Sequence, residues 1–117
     1  MILKFNLRSL VEKFQSESSQ NIYVENRTEL MAIDVAKTER LLGLFADTHL
    51  MFDNERRNPI DCKPCQDWLD QPSLIEMTEK AIQMLSKNEE KGFFLLVEGG
   101  RIDHAHHDTY VSQNAFS

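Results

Sequence analysis

A chain of 117 residues with 41% hydrophobic and 27% charged residues has the size and balance of one modest globular domain, which excludes a disordered or membrane-embedded composition. Its formal net charge of −6, with acidic and basic residues alternating along Glu25–Arg40 and Glu76–Lys91, excludes recognition of nucleic acid through a clustered basic face. No run of about 18 apolar residues occurs, which excludes a transmembrane helix.

At the N-terminus, MILKFNLRSLVEKF (Met1–Phe14) interleaves apolar residues with Lys4, Arg8 and Glu12, and no small-residue cleavage site follows. This pattern predicts an amphipathic helix or a strand-to-helix start rather than a signal peptide, with the helix over Arg8–Gln15. Ile22–Val24 reads as a short strand. Asn26-Arg27-Thr28 is an N-glycosylation sequon, meaningful on a secreted chain, and Thr28–Met31 reads as a helical turn. Leu41–Phe45 is a second short strand. His49 has no partner at metal-ligand spacing and reads as a surface or hydrogen-bonded histidine.

Phe52–Gln71 predicts an irregular, polar connection. Within it, Cys62 and Cys65 form one C-x-x-C. No second ligand pair accompanies them at zinc-site spacing, and a loop with Pro59 and Pro64 is unlike the helix opening of a redox motif. A local disulfide, two free thiols, and metal or redox chemistry remain as readings of the pair. The strongest helix signal spans Leu74–Asn88, where Ser73 and Glu76 form a capping box after Pro72. Leu74, Met77, Ala81, Met84 and Leu85 fall at helical spacing there. Gly92–Gly100, GFFLLVEGG, is a continuous apolar run bounded by glycines and predicts a strand buried on both faces. A polar helical segment follows to Ser117.

Strand, long helix, strand is the order of a right-handed crossover in a parallel sheet, so the fold class is α/β, a partial parallel sheet with flanking helices. Residues 1–117 read as part of one domain, because the apolar strand Phe93–Val97 needs neighbours that three candidate strands do not provide.

In open α/β sheets ligands gather beyond the carboxyl ends of strands, where Glu98 is expected. Gly99 and Gly100 let the chain turn close to a ligand. Asp103 and His107, four residues apart, place a carboxylate and an imidazole on one helical face, a zinc-type ligand pair. Glu98, a pure oxygen donor, suits the harder magnesium ion. His104 and His106 have competing roles as ligands, as groups orienting ligands, or as neighbours of an anionic substrate. FADTHL (Phe45–Leu50) carries an aspartate and a histidine but precedes the long helix, and is discounted.

The block VEGGRIDHAHH (Val97–His107) closely resembles the metal-binding segment of animal alkaline phosphatases. NRTELM (Asn26–Met31), LLGLF (Leu41–Phe45) and PSLIEMTEKAIQMLSKN (Pro72–Asn88) extend the resemblance in order, over roughly residues 7–113. It implies a piece of the family's α/β/α sandwich and residues 1–117 as a partial alkaline phosphatase domain. It further implies Glu98 as a magnesium ligand, Asp103 and His107 as ligands of one catalytic zinc, and His104 near the phosphate through water. His106 stays unassigned, and Ala105 stands where vertebrate members carry glycine. The implied cofactors are Zn2+ and Mg2+, and the implied reaction is hydrolysis of phosphate monoesters through a phosphoserine, one zinc activating the serine and the other the water.

The family's Asp-Ser-Ala nucleophile turn, its phosphate-clamping arginine and its later histidine ligands have no counterpart in these residues. Two protein ligands hold zinc weakly, so this chain by itself is expected to be inactive. It reads as an internal piece of a phosphatase, the alternative being a non-catalytic metal-binding or interaction protein derived from the family. The resemblance also implies a homodimer and lipid anchoring at the outer plasma-membrane face. Asn26 and the C-x-x-C agree with that oxidising destination, although neither signal nor anchor is expected within this chain.

Overall fold

The computed structural model describes residues 7–57, 70–87 and 90–107. Cys62 and Cys65, most of the proline-containing loop around them and the segment after His107 lie outside the described residues.

Helix α1 spans Leu7–Glu17, one residue earlier and two later than Arg8–Gln15. It turns its buried Val11 toward strand β1, Asn21–Val24, and exposes Arg8 and Glu12, an i,i+4 pair at 3.8 Å. The Asn21 side-chain amide donates to the Phe14 carbonyl at 2.8 Å, satisfying one of the carbonyls a helix end leaves open and fixing the angle at which β1 leaves α1. Strand β2, Arg40–Gly43, lies parallel to β1 with Asn21 opposite Arg40 and Val24 opposite Gly43. Between them runs α2, Arg27–Ala32, whose cap is Asn26: its Oδ1 accepts from the Glu29 amide at 2.8 Å. Leu30 on α2 is 3% exposed and anchors the helix.

The parallel crossover thus forms earlier in the chain than the periodicity suggests, through the short α2. Strand β2 also begins one residue before Leu41 and ends at Gly43, although Leu44 donates once more to the Val24 carbonyl at 3.1 Å. The Phe45 ring folds back into the space a Cβ on Gly43 would need, so a larger residue there would have to displace the ring, and the register ends with Val24 opposite Gly43.

A short helix α3, Asp53–Arg57, interrupts what reads from sequence as an irregular connection. Asp53 and Glu55 in its first turn face the positive end of the helix dipole, and Asp53 pairs with Arg56. Helix α4, Leu74–Leu85, starts as expected: Ser73 Oγ accepts from the Glu76 amide at 3.1 Å, and Glu76 Oε2 accepts from the Ser73 amide at 2.9 Å. It ends three residues before Asn88, with Ser86 as C-cap. Lys87 then donates to the carbonyls of Val35 and Thr38, tying the end of α4 to the loop that leads into β2. At the other end Arg27 of α2 donates twice to Glu76 Oε1, at 2.7 and 2.9 Å, so α2 and α4 are joined by a charge-assisted fork.

The segment Phe93–Val97 departs from expectation. It forms no regular secondary structure, it enters no ladder among the described residues, and its side chains are not buried: Phe94 is 87% and Leu96 80% exposed. An apolar strand is buried only where other strands and helices cover it, and the described residues supply a sheet of two strands, both elsewhere. Helix α5, Arg101–His107, follows. No helix among the described residues is long and apolar enough to cross a membrane.

Candidate metal centre

The turn into α5 is made by the two glycines. The Ile102 amide donates to the Gly99 carbonyl at 3.1 Å, and a Cβ on Gly99 would stand 3.0 Å from Ile102 Cδ1, tighter than side chains tolerate without a shift. Glu98 precedes this turn at the end of the apolar run, exposed, with Oε1 3.5 Å from where a Gly100 Cβ would be. The carboxylate is therefore folded back over the turn rather than held by a strand end.

One helical turn then brings Asp103 and His107 together. Asp103 Oδ2 lies 3.5 Å from His107 Nε2, with 74% and 77% of the two side chains exposed. Two donors on tetrahedral zinc, with bonds of about 2.0–2.1 Å, are separated by roughly 3.4 Å. The pair thus already has the spacing of one edge of a zinc tetrahedron, with an oxygen and a nitrogen donor of the right chemistry. Among the described residues no three His, Cys, Asp or Glu side chains converge, so those residues present a donor pair rather than a closed ligand set.

His104 faces a different environment. Its Nδ1 is 3.3 Å from Arg101 Nη1, and its ring meets the His49 ring edge-on at 4.5 Å between centroids. The Arg101 guanidinium lies over Phe52, 3.7 Å from the ring centroid. His106 is exposed, and Ala105, on the inner side of α5, is fully buried. His49 is exposed, as the surface reading expects, and its ring contact with His104 adds to that reading; Phe52 and Arg101 carry no mark in the sequence reading. Arg101 had a local signal, three residues before His104 on one helical face. The approach of His49 and Phe52 is tertiary and had none.

Asn26, of the sequon, is half-buried and occupied as the α2 cap, while the Thr28 amide and hydroxyl both donate to Asp70 Oδ1, at 3.1 and 3.0 Å. Among the described residues the most strongly perturbed carboxyl is Glu76: the Arg27 fork, together with the Ser73 amide and hydroxyl and against partial burial, lowers it to about 2. That pair joins helices and lies outside the α5 cluster.

The alkaline phosphatase family model matches residues 4–115. The chain is 44% identical over 108 residues to the tissue-nonspecific alkaline phosphatase isozyme of Rattus norvegicus, covering 92% of this chain and 18% of that protein. It is 43% identical over 113 residues to a membrane-bound alkaline phosphatase of Bombyx mori, covering 93% and 18%, and 41% identical over 103 residues to an alkaline phosphatase of Gadus morhua, covering 86% and 19%. The chain thus spans about a fifth of the length of these curated relatives. A match over nearly the whole chain, at this identity to several animal relatives, places it in a family: the chain belongs to the alkaline phosphatases.

Proposed function

We propose that these residues supply one edge of the metal centre of a zinc- and magnesium-dependent phosphomonoesterase. Asp103 and His107 hold one zinc, and Glu98 is a magnesium ligand. The observation that carries the reading is the 3.5 Å separation of Asp103 Oδ2 and His107 Nε2 on α5. When bound, zinc would supply Lewis-acid stabilisation of phosphoryl oxygens. The residues themselves do simpler work: the paired glycines set the helix start, the i,i+4 spacing preforms the donor pair, and Ala105 anchors the inner side of the helix. His104 lies on the same helix and is assigned to the vicinity of the substrate.

Phosphate monoesters as substrate class, a homodimer and placement at the outer membrane face belong to a protein of the relatives' length, and the Bombyx mori relative is named membrane-bound. Asn26 is the proposed glycan acceptor. Cys62 and Cys65, outside the described residues, are the proposed disulfide.

Zinc titration of the 117-residue chain tests this. Two of four donors provide at most about half of the roughly 10–16 kcal/mol of a complete structural site, so binding should be no tighter than about 1 µM. Replacing His107→Ala or Asp103→Asn should weaken it further, while Glu98→Gln should leave it unchanged. The same chain should release no product from a chromogenic phosphate monoester at alkaline pH. Equal zinc affinity in wild type and H107A would remove the ligand assignment, and turnover would refute the requirement for further ligands.

A further inference from the structure

We propose that Arg101 is a positioning residue that fixes the ring of His104 and the tautomer this histidine presents beside Asp103 and His107. The purpose of the arrangement rests on the metal-centre reading; its test does not.

Three observations converge. The guanidinium is stacked on Phe52, 3.7 Å from its centroid, and Phe52 is itself only 5% exposed, so the platform is set by the fold. From that platform Nη1 reaches His104 Nδ1 at 3.3 Å. A guanidinium has donors and no acceptor, so the shared proton comes from Arg101, Nδ1 accepts, and the ring proton of a neutral His104 is on Nε2. Finally, Arg101 Nε is buried without a hydrogen-bond partner among the described residues, and no carboxylate pairs with the guanidinium among them. Among the described residues the guanidinium contacts an aromatic face and an imidazole, and the His49 ring, edge-on at 4.5 Å and 79°, bounds His104 further.

The consequence divides the roles of the histidines on α5. With Nδ1 committed to Arg101, His104 offers an Nε2–H, a donor suited to water or an oxyanion rather than a lone pair for a metal. His107 keeps its Nε2 toward Asp103 and remains the ligand. Phe52 and Arg101 thereby separate two histidines three residues apart into a donor and a ligand.

The test uses the full 117-residue chain with 15N-labelled histidine, without zinc, at a pH where the imidazoles are uncharged. Long-range 1H–15N spectra report the tautomer of each ring. His104 is expected in the Nε2–H form with about a tenfold stronger bias than the exposed His106, the size of one charge-assisted hydrogen bond. Arg101→Met, which keeps an apolar stem on Phe52 but removes the donor, should return His104 to the His106 pattern while backbone shifts keep α5 helical. Phe52→Leu, which keeps the donor and removes the platform, should do the same in part. A His104 pattern equal to that of His106 in the wild-type chain, or one unchanged by R101M, overturns the proposal. Because no metal is present, either result leaves the zinc assignment of Asp103 and His107 to its own titration.

Discussion

Replacing Glu76→Gln should cost stability that depends on pH in a defined direction. Glu76 accepts both bonds of the Arg27 fork and closes the capping box of α4, and its side chain is 20% exposed. These contacts lower its carboxyl from 4.5 to about 2, Arg27 being the largest cause. Such a displacement corresponds to a ceiling of about 3 kcal/mol. Arg27 keeps 43% of its side chain in solvent, so screening reduces the contribution to about 1–2 kcal/mol. The folded-state value is depressed, so the stabilisation is complete above pH 4.5 and is lost as pH falls from there toward 2. Glutamine preserves much of the capping box but not the charge. Urea unfolding followed by far-UV circular dichroism at pH 7 should therefore show E76Q less stable by about 1–2 kcal/mol, and the gap should close near pH 2. NMR titration of the Glu76 side-chain carboxyl gives the same information residue by residue. A Glu76 midpoint at an ordinary carboxylate value, or a wild-type to E76Q difference that does not shrink in acid, refutes the reasoning.

Two further outcomes follow from single contacts. Asn26→Ala removes the Oδ1 that caps α2 and should cost about 1 kcal/mol, whereas Asn26→Asp keeps the cap and should be nearly neutral; in a secreted expression host both should lose the mass of one glycan. Phe94→Lys with Leu96→Lys interrupts the exposed apolar run; sedimentation should show less self-association, and the stability of the remaining structure should change by no more than about 0.5 kcal/mol.

Local chemistry was legible wherever a residue's partner lies within one helical turn. The capping box of Ser73 and Glu76, the helix behind it, and the Asp103–His107 pair are of that kind, and the structure forms all three. The parallel two-stranded sheet with helices around it agrees with the α/β class. Strand ends were less legible: β2 stops at Gly43, where the Phe45 ring packs back over the glycine, and a ring's direction is not written in hydrophobic periodicity. Helix α3 carried a weak signal, the acidic first turn of Asp53 and Glu55, outweighed by the polarity of its surroundings. Phe93–Val97 shows the limit most directly. Its apolar pattern specifies a residue type suited to burial, but burial is a property of what covers it, and the sheet among the described residues does not include it.

By itself the sequence determined the family and the spacing of the Asp103 carboxylate and the His107 imidazole, because side-chain chemistry and the 3.6-residue helical repeat are local properties of the chain. Only the tertiary structure decided that Arg27 reaches Glu76 across 49 positions, and that His49 and Phe52 come to the helix carrying Arg101 and His104. The reason is physical: such contacts are selected by how helices and loops pack against one another, and no short-range pattern encodes which distant side chain that packing will deliver.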